Sequence, residues 1–359
     1  MLKFIAKRTG YGFLVLLGVV VIVFFLFNVL PGDPARMILG QRADVSSIEA
    51  INKDIGRDKP LSIQFFMYLN DVSPISIHNV KETESFIYLN KEKYTRYFKL
   101  FSVSAKKVIV FKQPYLRRSY QTKREVSEII LEAMPGTAIL ALSSIIFASI
   151  IGIAMGIISA VKKHTFFDNS SIVLAVLGMS VPSFFAGIII AWIFGYLLSD
   201  YTGLNMTGSL YNISPFEGEV LELKNLILPT ITLGIRPLAI IVQLTRSSLL
   251  DVLTHDYIRT ARAKGLSSFR IITKHALKNA LNPVVTAISG WFASLLAGAV
   301  FVEFIFGWKG IGKVTVDSLE KYDFPVVMGA VLIVAAIFVI INIIVDVIYG
   351  ILDPRVRIQ

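Results

Sequence analysis

Apolar residues come in blocks along this chain. Six stretches of about twenty or more mostly apolar residues lie near 10–30 ("GYGFLVLLGVVVIVFFLFNVL"), 136–160, 171–198, 227–247, 284–302 and 326–350. A helix rises about 1.5 Å per residue and a hydrocarbon layer is about 30 Å thick, so roughly 20 such residues cross it. The pattern predicts six transmembrane helices. The first run follows Lys3, Lys7 and Arg8, and "NVLPGDPAR" after it offers no small-x-small cleavage site, so it reads as a retained signal anchor.

The polar intervals set the organisation: a transmembrane helix over 1–30, an outer segment over 31–135, a core over 136–350 with five more spans, and a short tail over 351–359. Basic residues at the amino end, in the "VKKH" turn at 161–164, in 246–283 and in "DPRVRIQ" fall on one side if all six spans are real. That side, with both termini, is expected to be cytoplasmic. The 199–226 connection on the other side carries Asp200, Glu217, Glu219 and Glu222 against Lys224. The outer segment is rich in Lys and Arg, but long loops translocate largely regardless of charge. Within it, "SFIYL" and "KKVIVF" read as short strands of a small folded subdomain.

Composition agrees with this picture. With 54% hydrophobic and 17% charged residues and a mean hydropathy of +0.66, the chain is too apolar for ordinary soluble domains. Its +11 formal charge therefore fits anionic headgroups and the positive-inside rule, not nucleic acid. There is no cysteine, which excludes disulfides and thiolate metal sites. The four histidines form no H-E-x-x-H pattern, and no G-x-S-x-G elbow occurs. No catalytic site, metal or cofactor is expected.

One segment stands apart. "DYIRTARAKGLSSFRIITKHALKNALNP" (256–283) is strongly cationic between two apolar blocks. Leu250, Leu253, Tyr257 and Ala261 recur at helical spacing as an apolar stripe, with Arg259, Arg262 and Lys264 off it. Gly265 ends this helix, and Ser267 or Ser268 caps a second one. In the second, Arg270, Lys274 and Lys278 line one face and Phe269, Ile272, Ala276 and Ala280 another, before Asn282 as cap and Pro283 as first helical residue open the next span. Three readings fit this helix–Gly–helix element: an amphipathic segment on anionic lipid, a nucleic-acid-binding helix-turn-helix, or a docking site for a cytoplasmic partner.

Resemblance selects the third. "DYIRTARAKGLSSFRIITKHALKNALNPVVT" resembles the cytoplasmic EAA-type coupling loop (251–283 here) of ATP-binding-cassette importer permeases, in the dipeptide/oligopeptide/nickel branch and of the first membrane subunit type. Of the general pattern E-A-A-x-x-x-G, aligned with Arg259, Thr260, Ala261 and Gly265, only the last two match; the peptide branch's R-T-A-R-A-K-G matches throughout. "LPGDPA" (30–35), "DKPLSIQFFMYL" (58–69), "VPSFF" (181–185), "LTRSSLLDVL" (244–253), "FVEFIFGWKGIGKVTVDS" (301–318) and "NIIVDVIYGILDPRVR" (342–357) are also similar to that family. Lys309 stands where a proline is usual, and about 73–115 looks like an insertion. The resemblance implies an all-α polytopic membrane protein: six transmembrane helices of the type I importer permease fold, with an extracytoplasmic subdomain between helices 1 and 2. It implies a non-enzymatic subunit of a peptide importer in the cell inner membrane. Its partners would be a homologous second permease, two ATPases and an extracytoplasmic binding protein, besides membrane lipid. Asp256, Tyr257, Ile258, Arg259, Thr260, Ala261, Arg262, Ala263, Lys264, Gly265 and Leu266 would couple to an ATPase.

"GWKGIGK" (307–313) fits G-x-x-x-x-G-K, but Val314 follows where a nucleotide loop needs Ser or Thr. Gly152-x-x-x-Gly156 permits close helix contact, within the chain or between subunits. Pro182, flanked by Ser180 and Ser183, should kink the third span. Arg236 lies near mid-span, where a guanidinium costs at least ~2.5 kcal/mol, so it should meet a wet cavity, an ion-pair partner or carbonyls freed by Pro237. Ser180, Pro182, Ser183 and Arg236 are the candidate pathway residues. Asp346, toward the cytoplasmic end of the last span, is expected to pair or to anchor at the interface. The alternatives from other classes are a secondary transporter or channel, which calls for inverted repeats and several intramembrane acids, and an intramembrane enzyme, which calls for paired catalytic residues.

Overall fold

The computed structural model of the protein describes residues 2–29, 58–83, 85–91, 93–94, 96–214 and 218–352. "LPGDPA", the rest of the segment up to 57, Glu217 and the tail from 353 lie outside the described residues. In chain order the elements are α1 (Leu2–Val29), α2 (Leu61–Val72), β1 (Ile75–Asn79), β2 (Tyr97–Ser102), β3 (Lys107–Lys112), α3 (Val126–Val161), α4 (Phe166–Ser180), α5 (Ser183–Trp192), β4 (Tyr211–Ser214), β5 (Gly218–Leu221) and α6 (Ile227–Val252). Then follow α7 (Asp256–Ala263), α8 (Ser268–Ala280), α9 (Asn282–Gly298), α10 (Val300–Ile305), α11 (Ile311–Glu320) and α12 (Phe324–Leu352).

Helices α1, α3, α6 and α12 contain stretches long and apolar enough to cross a membrane, and two bent pairs raise the number to as many as six. The first pair breaks at Pro182, where a kink in the third span is expected, but far more sharply than a kink. Helix α4 and the helix begun by α5, which runs on through a π-turn to Leu197, meet at 109°. Pro182 disfavours helical backbone at the residue before it, and Val181 is extended at φ −81°, ψ 129°. The 15 residues of α4 rise only about 22 Å, too little to cross alone. The second pair, α8 and α9, bends by 53°. Here Asn282 is not the cap: Leu281 takes that place with helical dihedrals, and Asn282 already belongs to α9.

The chain divides into two compact units, one of Met1–Gly12, Ala133–Lys313 and Ala336–Gln359, the other of Phe13–Glu132 and Val314–Ala335. In the first, the Gly152-x-x-x-Gly156 motif is spent on internal packing. A Cβ at Gly152 would lie 2.8 Å from Ile241 Cγ2, and one at Gly156 would lie 2.5 Å from Thr245 Cβ, so α3 can approach α6 this closely only through glycine. Arg8 Nη1 lies 3.1 Å from Asp346 Oδ2, which gives Asp346 its pairing role.

The second unit holds an antiparallel sheet of order β1-β3-β2. "KKVIVF" supplies β3 as expected. "SFIYL" does not form a strand: it is a turn-rich crossing with a single bridge from Tyr88 to Asn79. The strands missed were β1 and β2: β1 alternates Ile75-Ser76-Ile77-His78, but with the polar residues buried and the apolar ones exposed, and β2 lacks alternation and is exposed along most of its length. The inward face of the sheet buries Val108 and Val110 against Leu89 and Tyr94. Beside it, buried Asp71 accepts hydrogen bonds from Tyr94 Oη at 2.6 Å and Lys93 Nζ at 3.0 Å, while Lys112 Nζ donates to the Asp71 carbonyl at 2.6 Å.

Candidate functional site

The cationic elbow is built on a turn that only glycine fits comfortably. Gly265 has φ +77°. The Leu266 N–H donates to the Ala261 carbonyl at 3.3 Å and the Gly265 N–H to the Arg262 carbonyl at 2.9 Å, the paired bonds of a Schellman ending. Helix α7 thus stops abruptly, and the chain turns into α8 from Ser267.

Which side of α7 faces inward differs from the expected stripe. The turn at 253–255 interrupts the helix, so Tyr257 is not in phase with Leu250 and Leu253. Ile258 and Ala261 are the buried residues, packed with Leu249 and Val252 of α6, Ala160 of α3 and Ile271, Ala276 and Ala280 of α8. Burying Ile258 alone contributes roughly 2 kcal/mol. Tyr257 lies outward, and its Oη accepts a hydrogen bond from Asn279 Nδ2 at 2.9 Å. In α8 a π-turn over Ile271–Ala276 adds a residue to the helical repeat. It brings Ile271 and Ala276, five apart, to the same core and leaves Phe269 outside, 78% exposed. Asp256, Arg259, Thr260, Arg262, Ala263, Lys264 and Gly265 are exposed too, and Leu266 is half-buried. The outer surface of the elbow is therefore free to meet a partner, while Ile258 and Ala261 seat it.

Directly behind this core sits an ion pair that sequence reasoning missed. Asp168, in the first turn of α4 and 1% exposed, accepts Arg246 Nε at 2.6 Å and Nη2 at 2.8 Å. Ser159 Oγ of α3 donates to the same carboxylate at 2.5 Å, and the His164 N–H at 2.9 Å. Both carboxylate oxygens are satisfied, the condition under which a buried charge is tolerated. Three helices are tied at the end where α6 leads into the elbow. An acid in a helix's first turn was visible as a dipole partner, but nothing marked Arg246, 78 residues away, as its mate.

Ser180, Pro182 and Ser183 lie at the break between α4 and α5, and Arg236 follows Ile235 on the stretch of α6 that packs beside it. A Cβ at Gly178 would lie 2.9 Å from Ile235 Cγ2, and one at Gly187 would lie 3.3 Å from Thr232 Cγ2, so both sides of the break lean on one stretch of α6. Ser180, Pro182 and Arg236 are exposed and Ser183 is half-buried. Ser180 Oγ donates to its own helix, at Val176 O, 2.8 Å away. Among the described residues Arg236 has neither an ion pair nor a hydrogen-bond partner, so neither the internal pair nor the carbonyl-capping arrangement forms within them.

In the 307–313 loop the amides of Gly307, Trp308, Lys309, Ile311, Gly312 and Lys313 are already engaged within the protein, away from any phosphate. Gly312 and Lys313 N–H donate to buried Glu303 Oε2 at 2.7 and 3.2 Å, and Ile311 N–H to Thr137 Oγ1 at 2.8 Å. Trp308 is fully buried, with Nε1 donating to Gly136 O at 2.9 Å. The Lys309 N–H, absent from the proline usual there, meets Ser209 Oγ at 3.3 Å.

Comparison with known proteins agrees with this geometry. Residues 152–358 match the family described as binding-protein-dependent transport system inner membrane component, and residues 1–84 match the corresponding N-terminal component. The chain is 34% identical to the di/tripeptide transport system permease protein DppB of Pseudomonas aeruginosa, with 100% of both chains covered. It is 33% identical to the dipeptide transport system permease protein DppB of Escherichia coli K12 over 99% of each chain. To the glutathione transport system permease protein GsiC of Pectobacterium atrosepticum it is 35% identical, again over 99% of each. The two family matches span most of the sequence and these relatives align with it end to end, so the chain belongs to the binding-protein-dependent inner membrane components, the type I permeases of ATP-binding-cassette importers, in their dipeptide/oligopeptide branch.

Proposed function

We propose that this permease forms half of the pathway of an ATP-driven importer for short peptides. It pairs with a homologous second permease, takes solute from an extracytoplasmic binding protein, and is driven by two separate ATPases that grip the Asp256–Leu266 elbow from the cytosol. Both termini, the Lys162-Lys163 turn and the elbow face the cytoplasm, as their basic residues favour. The peptide cargo follows from the names of the relatives, which transport dipeptides, tripeptides or glutathione.

The observation that carries this reading is the two-sidedness of α7: a charged outer surface over Ile258 and Ala261, which are packed into α3, α6 and α8. A pull on α7 reaches α6 through that core, then α3 and α4 through Asp168 and Arg246. Closure of the ATPases around ATP would move these helices as a body and shift the balance between inward-open and outward-open states. Arg236, exposed beside the broken helix, faces the pathway and meets a peptide carboxylate there. Scrambling residues 256–266 should abolish co-purification of the ATPases while the chain still inserts; undiminished capture would refute the assignment. Arg236→Gln should alter substrate preference, and a change in assembly alone would remove Arg236 from the pathway.

A further inference from the structure

The outward face of the β1-β3-β2 sheet is oily where water-facing sheets normally alternate to polar. Ile75, Phe111 and Phe98 stand opposite one another across the three strands, and next to them Ile77, Ile109 and Phe101 do the same. Directly paired residues share a face. Five of these six are exposed, Phe98 at 74% and Phe101 at 60%. The fold does not need this face for its own core, since Val108, Val110, Leu89 and Tyr94 supply one on the other side. An exposed apolar surface of this kind marks a contact with something else.

What it meets follows from what it adjoins. Phe25 of α1, half-exposed near the end of the apolar span Phe4–Phe27, stacks on Phe65 of α2 with centroids 6.5 Å apart. Phe65 in turn lies 6.4 Å from Phe66, which forms one wall of an apolar groove with Leu69, Ile75, Ile77 and Phe86. A strip of apolar side chains thus runs without a break from the surface of a membrane-spanning helix to the sheet. It leaves α1 at Phe25, close to the end of the apolar span. Two exposed cations go with this face: Lys107, in phase with Ile109 and Phe111, and Arg96, two residues before Phe98. Aromatic and aliphatic side chains beside basic ones make up the chemistry of a surface that lies in an anionic lipid interface.

We propose that this sheet face is a membrane-docking surface. Phe98, Phe101 and Phe111 bed among the lipid headgroups beside α1, and Arg96 and Lys107 meet lipid phosphates. The outer subdomain then rests on the bilayer and does not stand free above it.

The absence of cysteine makes the test direct. Phe98→Cys, Phe101→Cys and, as a control, Lys91→Cys in the full chain are labelled with a small fluorophore. Each is reconstituted into phosphatidylethanolamine–phosphatidylglycerol vesicles containing lipid brominated close to the headgroup. Labels at 98 and 101 should lose emission severalfold to the brominated lipid and little to aqueous iodide, with the reverse at 91. Quenching of 98 and 101 by iodide alone overturns the proposal. So does protection that appears only when a second permease or a binding protein is added, which would assign the face to a protein. Neither result depends on ATPase coupling, so failure here leaves the proposed function standing.

Discussion

Arg246 grips Asp168 with two parallel bonds, Nε to Oδ1 at 2.6 Å and Nη2 to Oδ2 at 2.8 Å, joining helices far apart in sequence. Removing one partner strands a buried charge. Asp168→Ala should therefore cost about 3 kcal/mol, read as a lowered Tm of the purified chain, while the apolar double variant D168L/R246L should cost less than either single change. Equal costs for all three would mean that the pair does not act as a unit.

Gly265 supports a second expectation. At φ +77° alanine costs about 1–2 kcal/mol and asparagine less. Gly265→Pro, which cannot reach that φ and lacks the N–H bonded to Arg262, should leave insertion intact yet separate ATP hydrolysis from uptake. Normal uptake by Gly265→Pro would contradict the coupling role.

Close approach of α3 and α6 predicts that bulk at Gly156 is not tolerated. Gly156→Leu must push aside Thr245, next to Arg246, and should lose about 1–3 kcal/mol, measurable as a drop in detergent-solubilised Tm. The same change at Gly18, which has open space around it, should leave stability unaltered.

The outer sheet should weaken in acid. Burial, reinforced by the nearby Lys112 ammonium, pushes the His78 imidazole down from 6.5 to about 4. Below pH ~6.5 the unfolded chain binds a proton that the folded chain refuses, so stability falls as pH drops from there toward 4. Lys112, lowered by burial to about 8, works in the same sense at high pH: stability rises as pH climbs from 8 toward 10.5. Hydrogen exchange in β1 and β3, corrected for intrinsic rates, should accelerate between pH 6.5 and 4 in the native chain and change less in His78→Gln.

Much of this architecture was legible in the sequence for a simple reason: membrane-length apolar runs and a glycine that must be left-handed are local signals. Gly265, the β3 strand and the pairing of Asp346 appear where the residues put them. What was not legible depended on neighbours. Pro182 promised a kink, but the size of the break, 109°, goes with the support that α6 gives both halves through Gly178 and Gly187. The π-turn in α8 moved Phe269 outward and Ile271 inward, a one-residue shift that periodicity counts as noise. The Asp168–Arg246 pair is a contact across 78 residues, and Glu303 became meaningful only when the 312–313 amides were found on it.

The most direct measurement is a site-specific crosslink from the elbow. Position 262, exposed on α7, carries a photo-crosslinker in a permease reconstituted with its second subunit and ATPases. Illumination should join it to an ATPase, with a yield that changes on adding ATP and without loss of peptide uptake before illumination. A transporter that takes up peptide yet gives no ATPase adduct from position 262 or its exposed neighbours would contradict the claim that this elbow is where the motor takes hold.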